Sequence, residues 1–237
     1  MLKQVGFLQY VQKDWLDATV AFYQNCQNID EIKAKLNNLI LSEVPKSEER
    51  RKTIDVLTRT WIRVPKNHQN LRNTALEIYD ELEPNERIIL HWGMLLLAYP
   101  FFHDIVNKIG LILRIQNSFT SSQLRNKLVS SWGHRTTIIR AIDRVVQSLK
   151  NWRVLENDNI SIKSTSKLEI KNEFHCLWFL ECVYRSEQVD SIFFDKLISL
   201  ETMFPFELKI PLYKIKQAKN FEHQMYGMNM EIISLKN

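Results

Sequence analysis

Between Arg135 and Asn151 the chain sets side chains suited to bonding nucleic acid against side chains suited to burial. Ile138, Ile142, Val145 and Leu149 recur at i, i+4, i+7 and i+11, which places them on one side of a helix. The opposite side then presents Thr136, Arg140, Asp143, Arg144 and Gln147, with Thr137 on its flank. Arginine and glutamine carry donors spaced for base edges in a major groove, and a threonine hydroxyl suits a phosphate oxygen. Arg140, Arg144 and Gln147 are therefore candidates for facing the groove of double-stranded DNA, with Thr136 and Thr137 beside them. Arg125, Lys127, Arg135, Lys150, Arg153 and Lys163 are the candidates for backbone contacts.

The distribution of charge points the same way. Ser121–Lys171 holds ten basic residues against four acidic ones, a balance of +6 where the whole chain carries +5. The rest of the molecule is close to neutral, and charge gathered on one module is the footprint expected of phosphate binding. Two features oppose this: Asp143 lies in the middle of the exposed face, and Glu156-Asn157-Asp158-Asn159 is acidic where a groove-tracking loop is expected. RNA remains open on charge alone.

Catalytic chemistry has no comparable signal. The chain lacks His-Glu-x-x-His, Cys-x-x-Cys, a phosphate-binding glycine loop and Gly-x-Ser-x-Gly. His175, Cys176, Cys182 and His223 match no common zinc-ligand spacing, so burial is the simpler reading for them. Neither an enzyme nor a cofactor or metal is expected. Arg50-Arg51-Lys52 forms a second basic run early in a helix, which either meets an external anion or, as the simpler reading, is a solvated face softened by Glu48 and Glu49.

The elements that must hold this face are legible from punctuation. Helices are expected over residues 7–25, Glu31–Ser42 behind an Asp30 cap, from a Ser47 cap to before Pro65, Asn70–Leu82 and Glu86–Tyr99. After Pro100 come a helix over Phe101–Gln116, a polar break at 118–121 and a short helix over Ser122–Ser130. A turn at 131–134 and a longer helix over Arg135–Asn151 follow. The segment then reads as strand 152–155, turn 156–159 and strand 160–163. That succession is the layout of a winged helix-turn-helix near residues 101–163.

Beyond it, helices over Glu173–Tyr184 and Ser191–Leu200 precede a hairpin of Phe221–Tyr226 and Met230–Leu235 flanking Gly227, which is also readable as a second wing. No internal repeat is evident. The expected class is mainly α: a helical bundle (1–100), a winged helix-turn-helix (101–170) and a small α+β tail (171–237) packed on it or extending it.

At 45% hydrophobic and 25% charged the chain is expected to fold. The start Met1-Leu2-Lys3-Gln4-Val5 lacks the apolar run of a signal peptide, and three scattered cysteines form no disulfide framework. The apolar run Ile88–Phe102 contains His91 and is broken by Pro100, so a core helix is expected and no membrane partner. These features favour a soluble protein of the cytoplasm. A different use of the same fold is an adaptor or scaffold joining proteins through the apolar residues Trp178, Phe179, Phe193, Phe194, Phe204 and Phe206.

Three segments resemble the BrxA family of BREX bacteriophage-defence systems. They are the basic helix Glu49–Arg59, the helix-proline-helix stretch Leu95–Val106, and Thr137–Leu155 with its spaced apolar residues running into a strand. With their connections they cover roughly residues 15–165. The resemblance implies a small, helical, non-enzymatic DNA-binding protein with a winged-helix region, working beside other subunits of a defence complex.

Overall fold

Prolines and capped starts divide the first hundred residues into helices. The computed structural model describes residues 6–226 and 230–236, so Met1–Val5, the Gly227 expected between the hairpin strands with its two successors, and Asn237 lie outside the described residues. The bundle comprises α1 (Lys13–Asn25), α2 (Ile29–Leu39), α3 (Ser47–Trp61), α4 (Gln69–Tyr79) and α5 (Ile88–Ala98). Residues 7–12 are not helical, although a helix is expected there. Their backbone is claimed elsewhere: Val11 N–H donates to Ser148 Oγ at 2.9 Å, and Trp152 Nε1 donates to the Val11 carbonyl at 3.0 Å. Backbone groups bonded to another element cannot also close helical turns.

Two expected caps also shift. Asn28, not Asp30, caps α2, its Oδ1 accepting from the N–H groups of Asp30 and Glu31. Ser47 is the first residue of α3 and does not cap it. Arg50 is buried rather than solvated, donating to Asn37 Oδ1 and to the carbonyls of Val44 and Pro45, while Lys52 pairs with Glu48.

Pro100 opens α6 (Pro100–Ile115), where its missing N–H costs nothing, and the chain bends there by 118° from α5. No single helix among the described residues is long and apolar enough to cross a membrane. Next come β1 (Ser118–Phe119), α7 (Ser121–Trp132), α8 (Thr136–Asn151), β2 (Leu155–Asp158) and β3 (Ser161–Ser164). The three strands form an antiparallel sheet in the order β1-β3-β2. The hairpin sits three residues later than expected at its first strand. Residues 152–154 instead close α8, Val154 and Leu155 are buried, and the turn is Asn159-Ile160.

The C-terminal part contains β4 (Leu168–Ile170), α9 (Glu173–Ser186), β5 (Ile192–Phe193) and α10 (Phe194–Leu197). It continues with β6 (Phe206–Leu208), α11 (Leu212–Lys216), β7 (Phe221–Tyr226) and β8 (Met230–Leu235). The single helix expected over 191–200 is reduced to the short α10. Ile192 and Phe193 pair with Ile233 and Ile232 of β8, and this ladder takes the first turn away from the helix. The sheet order β5-β8-β7 repeats that of β1-β3-β2, with a helix before each first strand and helices before each hairpin.

The chain is thus mostly helical with small sheets largely in the C-terminal part, and one contiguous buried cluster runs from Phe7 to Ile233. The tail packs on α4, α5 and α6 rather than trailing from the hairpin. Trp178 of α9 donates to the Leu71 carbonyl, and Trp92 of α5 donates to the Thr202 carbonyl. A Cβ on Gly110 would lie 2.1 Å from the Glu201 carbonyl oxygen, so only glycine lets α6 meet that turn backbone to backbone.

Candidate nucleic-acid interface

The face expected from the heptad-like spacing is present on α8. Ile138, Ala141, Ile142, Val145, Val146 and Leu149 are buried, whereas Thr136, Thr137, Arg140, Arg144 and Gln147 are exposed. Bracing is strong at the C-terminal half of the helix. Besides the Val11–Ser148 bond, Lys13 N–H donates to Asn151 Oδ1 at 2.9 Å, and Trp152 is buried against Phe102. The N-terminal half is set by α7. Thr120 and Gln123 form a reciprocal capping box at the start of α7, and Gly133 ends it at φ +85°, a left-handed turn that leads into α8.

Asp143 is half-buried and does not stand alone on this face. Arg125 of α7 meets it with two nitrogens on the carboxylate, Nη2 at 2.6 and 2.7 Å and Nε at 2.9 Å. This bidentate pair locks α7 to α8 and cancels the acid. It also commits Arg125, as Glu156 commits Lys163 at the hairpin. Among the described residues, Lys127, Arg140, Arg144 and Arg153 form no ion pair and are exposed. Arg144 Nη1 lies 3.5 Å from Gln147 Oε1, one turn along the same face.

The remaining candidates are spread around this core. Arg135 precedes α8 and turns partly inward, Nη2 donating to the Trp132 carbonyl. Lys150 of α8 bonds Asn157 at the hairpin, and Lys163 pairs with Glu156 at 3.5 Å, so both cations face polar residues of the hairpin. Arg153 holds a left-handed backbone (φ 58°) directly after α8. At the hairpin tip Asn159 is also left-handed, and Ile160 is 93% exposed.

Elsewhere, one arrangement has the partners of a catalytic dyad. His91 Nε2 donates to Asp17 Oδ1 at 2.9 Å, and Tyr79 OH donates to the same oxygen at 2.6 Å. Trp61 Nε1 donates to His91 Nδ1 at 3.1 Å, which fixes the tautomer and occupies the nitrogen a base would use. Burial pushes the His91 pKa down, and the imidazole has no exposed surface. Burial alone would raise Asp17, but hydrogen bonds from His91, Lys13 and Tyr79 outweigh it and hold the carboxyl well below its usual range. The cluster ties α1, α3, α4 and α5 together around the fully buried His91 ring.

His175, Cys176 and Cys182 are buried, and no group of three or more His, Cys, Asp or Glu suited to a metal ion occurs among the described residues. The apolar tail residues expected to serve an adaptor are mostly spent on the core. Trp178, Phe179, Phe194 and Phe206 are buried and Phe204 is half-buried, leaving Phe193 exposed. Phe174, Tyr213, Met225 and Tyr226 are exposed instead, none of which stood out by spacing. No protein-family model, curated protein or solved structure matches the chain.

Proposed function

We propose that residues 100–164 are a winged helix-turn-helix and that the protein binds double-stranded DNA through α8 without catalysing a reaction. The observation that carries this reading is the exposed Arg140–Arg144–Gln147 face, whose only acid is neutralised by Arg125. The order helix, short strand, two helices and hairpin, with the sheet order β1-β3-β2, supports the winged-helix assignment. In this reading Arg140, Arg144 and Gln147 reach base edges, and Thr136, Thr137, Lys127, Arg135, Lys150 and Arg153 hold phosphates. The resemblance to the BrxA family extends the proposal to a subunit of a BREX-like phage-defence complex.

The test is fluorescence anisotropy of labelled duplex DNA across salt concentrations, for the wild type and an Arg140→Glu/Arg144→Glu double variant. Six to ten phosphate contacts cost roughly a thousandfold or more in affinity between about 50 and 200 mM salt. The wild type is expected to show that dependence and the variant to lose binding. Equal binding by both proteins, or none by either, overturns the proposal and leaves the adaptor reading. That reading has its own support in the exposed acids Glu156 and Asp158 beside Ile160, which suit a protein surface better than a phosphate backbone.

A further inference from the structure

We infer that the cleft between α6 and the 198–215 segment binds a small amphiphile: an apolar body with one anionic head, of the class of a medium-chain carboxylate. The cleft encloses about 530 Å³, within the span of roughly 300–1,000 Å³ typical of small-molecule sites. Three separated parts of the chain build it: the end of α6, the link between β3 and β4, and the stretch from Ile198 to Ile215. Junctions of this kind are where such sites concentrate.

Its wall is apolar. Leu113, Ile198, Met203, Phe204, Phe206 and Ile215 line it, a surface that gains from covering by hydrocarbon. The charges at its margin are unequal in their commitments. Glu201 is buried with one carboxylate oxygen on Arg114 and the other 2.9 Å from Lys196 Nζ. Glu207 is paired with Lys209 at 2.6 Å. Both acids of the lining are thus neutralised, whereas Lys167 is exposed and forms no ion pair among the described residues. Arg114 keeps further N–H groups on a side chain that is 59% exposed, and Ser164 and Thr165 stand in the same lining. An apolar trough with a surplus cation at its mouth selects an amphiphilic anion over a neutral or cationic one. The inference stands apart from the nucleic-acid reading, because the cleft shares no lining residue with the exposed face of α8.

Isothermal titration of the full chain with decanoate, decanol and decylammonium tests it. Decanoate is expected to bind one to one, at least tenfold more tightly than either of the others. Lys167→Glu is expected to weaken decanoate at least tenfold, and Leu212→Trp, which fills the rim from a half-exposed position, to abolish binding. Absence of decanoate binding overturns the inference. So does equal affinity for decanoate and decanol, or affinity unchanged in Lys167→Glu. Melting curves establish that the variants fold. If Leu212→Trp does not, the head-group preference and its loss in Lys167→Glu decide the matter alone.

Discussion

At the scale of single residues, the pair Arg125–Asp143 changes what the exposed face of α8 means. The spacing along α8 displayed an acid among the arginines, which argued against phosphate binding. The partner that cancels it comes from a different helix, eighteen positions earlier, where helical periodicity gives no indication of contact. The pair is about a third exposed on each side, so it contributes at most about 1 kcal/mol to folding. Its larger consequence is electrostatic. Asp143→Asn releases Arg125 and removes a negative charge from the proposed groove face. Affinity for duplex DNA is therefore expected to rise several-fold at moderate salt with the melting temperature almost unchanged. Weaker binding by this variant in the anisotropy titration would show that holding Arg125 in place matters more than the charge.

At the scale of elements, the chain was legible wherever punctuation and burial agreed. The prolines and the apolar rows located α3 to α6 and α8 to within a few residues, because α6 and α8 bury a face at helical spacing and α5 is apolar and buried all round. The misses share a cause. Residues 7–12, the strand β5 and the shift of the hairpin all depend on partners distant in sequence: Ser148 and Trp152, Ile232 and Ile233, and the core under Leu155. Local propensity cannot anticipate backbone groups committed elsewhere. The site followed the same rule, since its exposed row was readable while the commitments of Arg125, Lys150 and Lys163 were not. The Thr120–Gln123 capping box shows how much a local signal contributes when it holds. Thr120→Ala removes the acceptor for the Gln123 N–H, and the expected loss is about 1 kcal/mol of stability. Chemical denaturation would register it as a lower midpoint with an unchanged slope, and Thr120→Ser would recover most of it.

At the scale of the whole molecule, two histidines with opposite shifts shape how stability varies with pH. His103 of α6 lies between Asp104 and Glu187, with Nε2 2.9 Å from the Glu187 carboxylate at the end of α9. Burial works against its charge, but the hydrogen bonds and charges of the two acids prevail and push its pKa up to about 9. A group raised in the folded state binds its proton more tightly there than in the unfolded chain, whose histidines titrate near 6.5. Its contribution, about 3 kcal/mol, is therefore complete below pH 6.5 and disappears as pH rises to about 9. His91 behaves in the opposite sense. Buried and neutral, it must forgo a proton that the unfolded chain accepts, so stability falls as pH drops below about 6.5, and protonation of the depressed Asp17 adds to the loss below about 4. Stability is expected to peak near pH 6–7, with an alkaline limb that belongs to the α6–α9 clamp. Replacing His103 with Gln should lower stability at pH 6 by about 2–3 kcal/mol and leave little change between pH 7 and 9. Urea unfolding at pH 5, 6.5, 8 and 9 separates the two limbs. A His103→Gln protein that still loses stability steeply between pH 7 and 9 would mean that another group, and not this clamp, fastens the C-terminal part to α6.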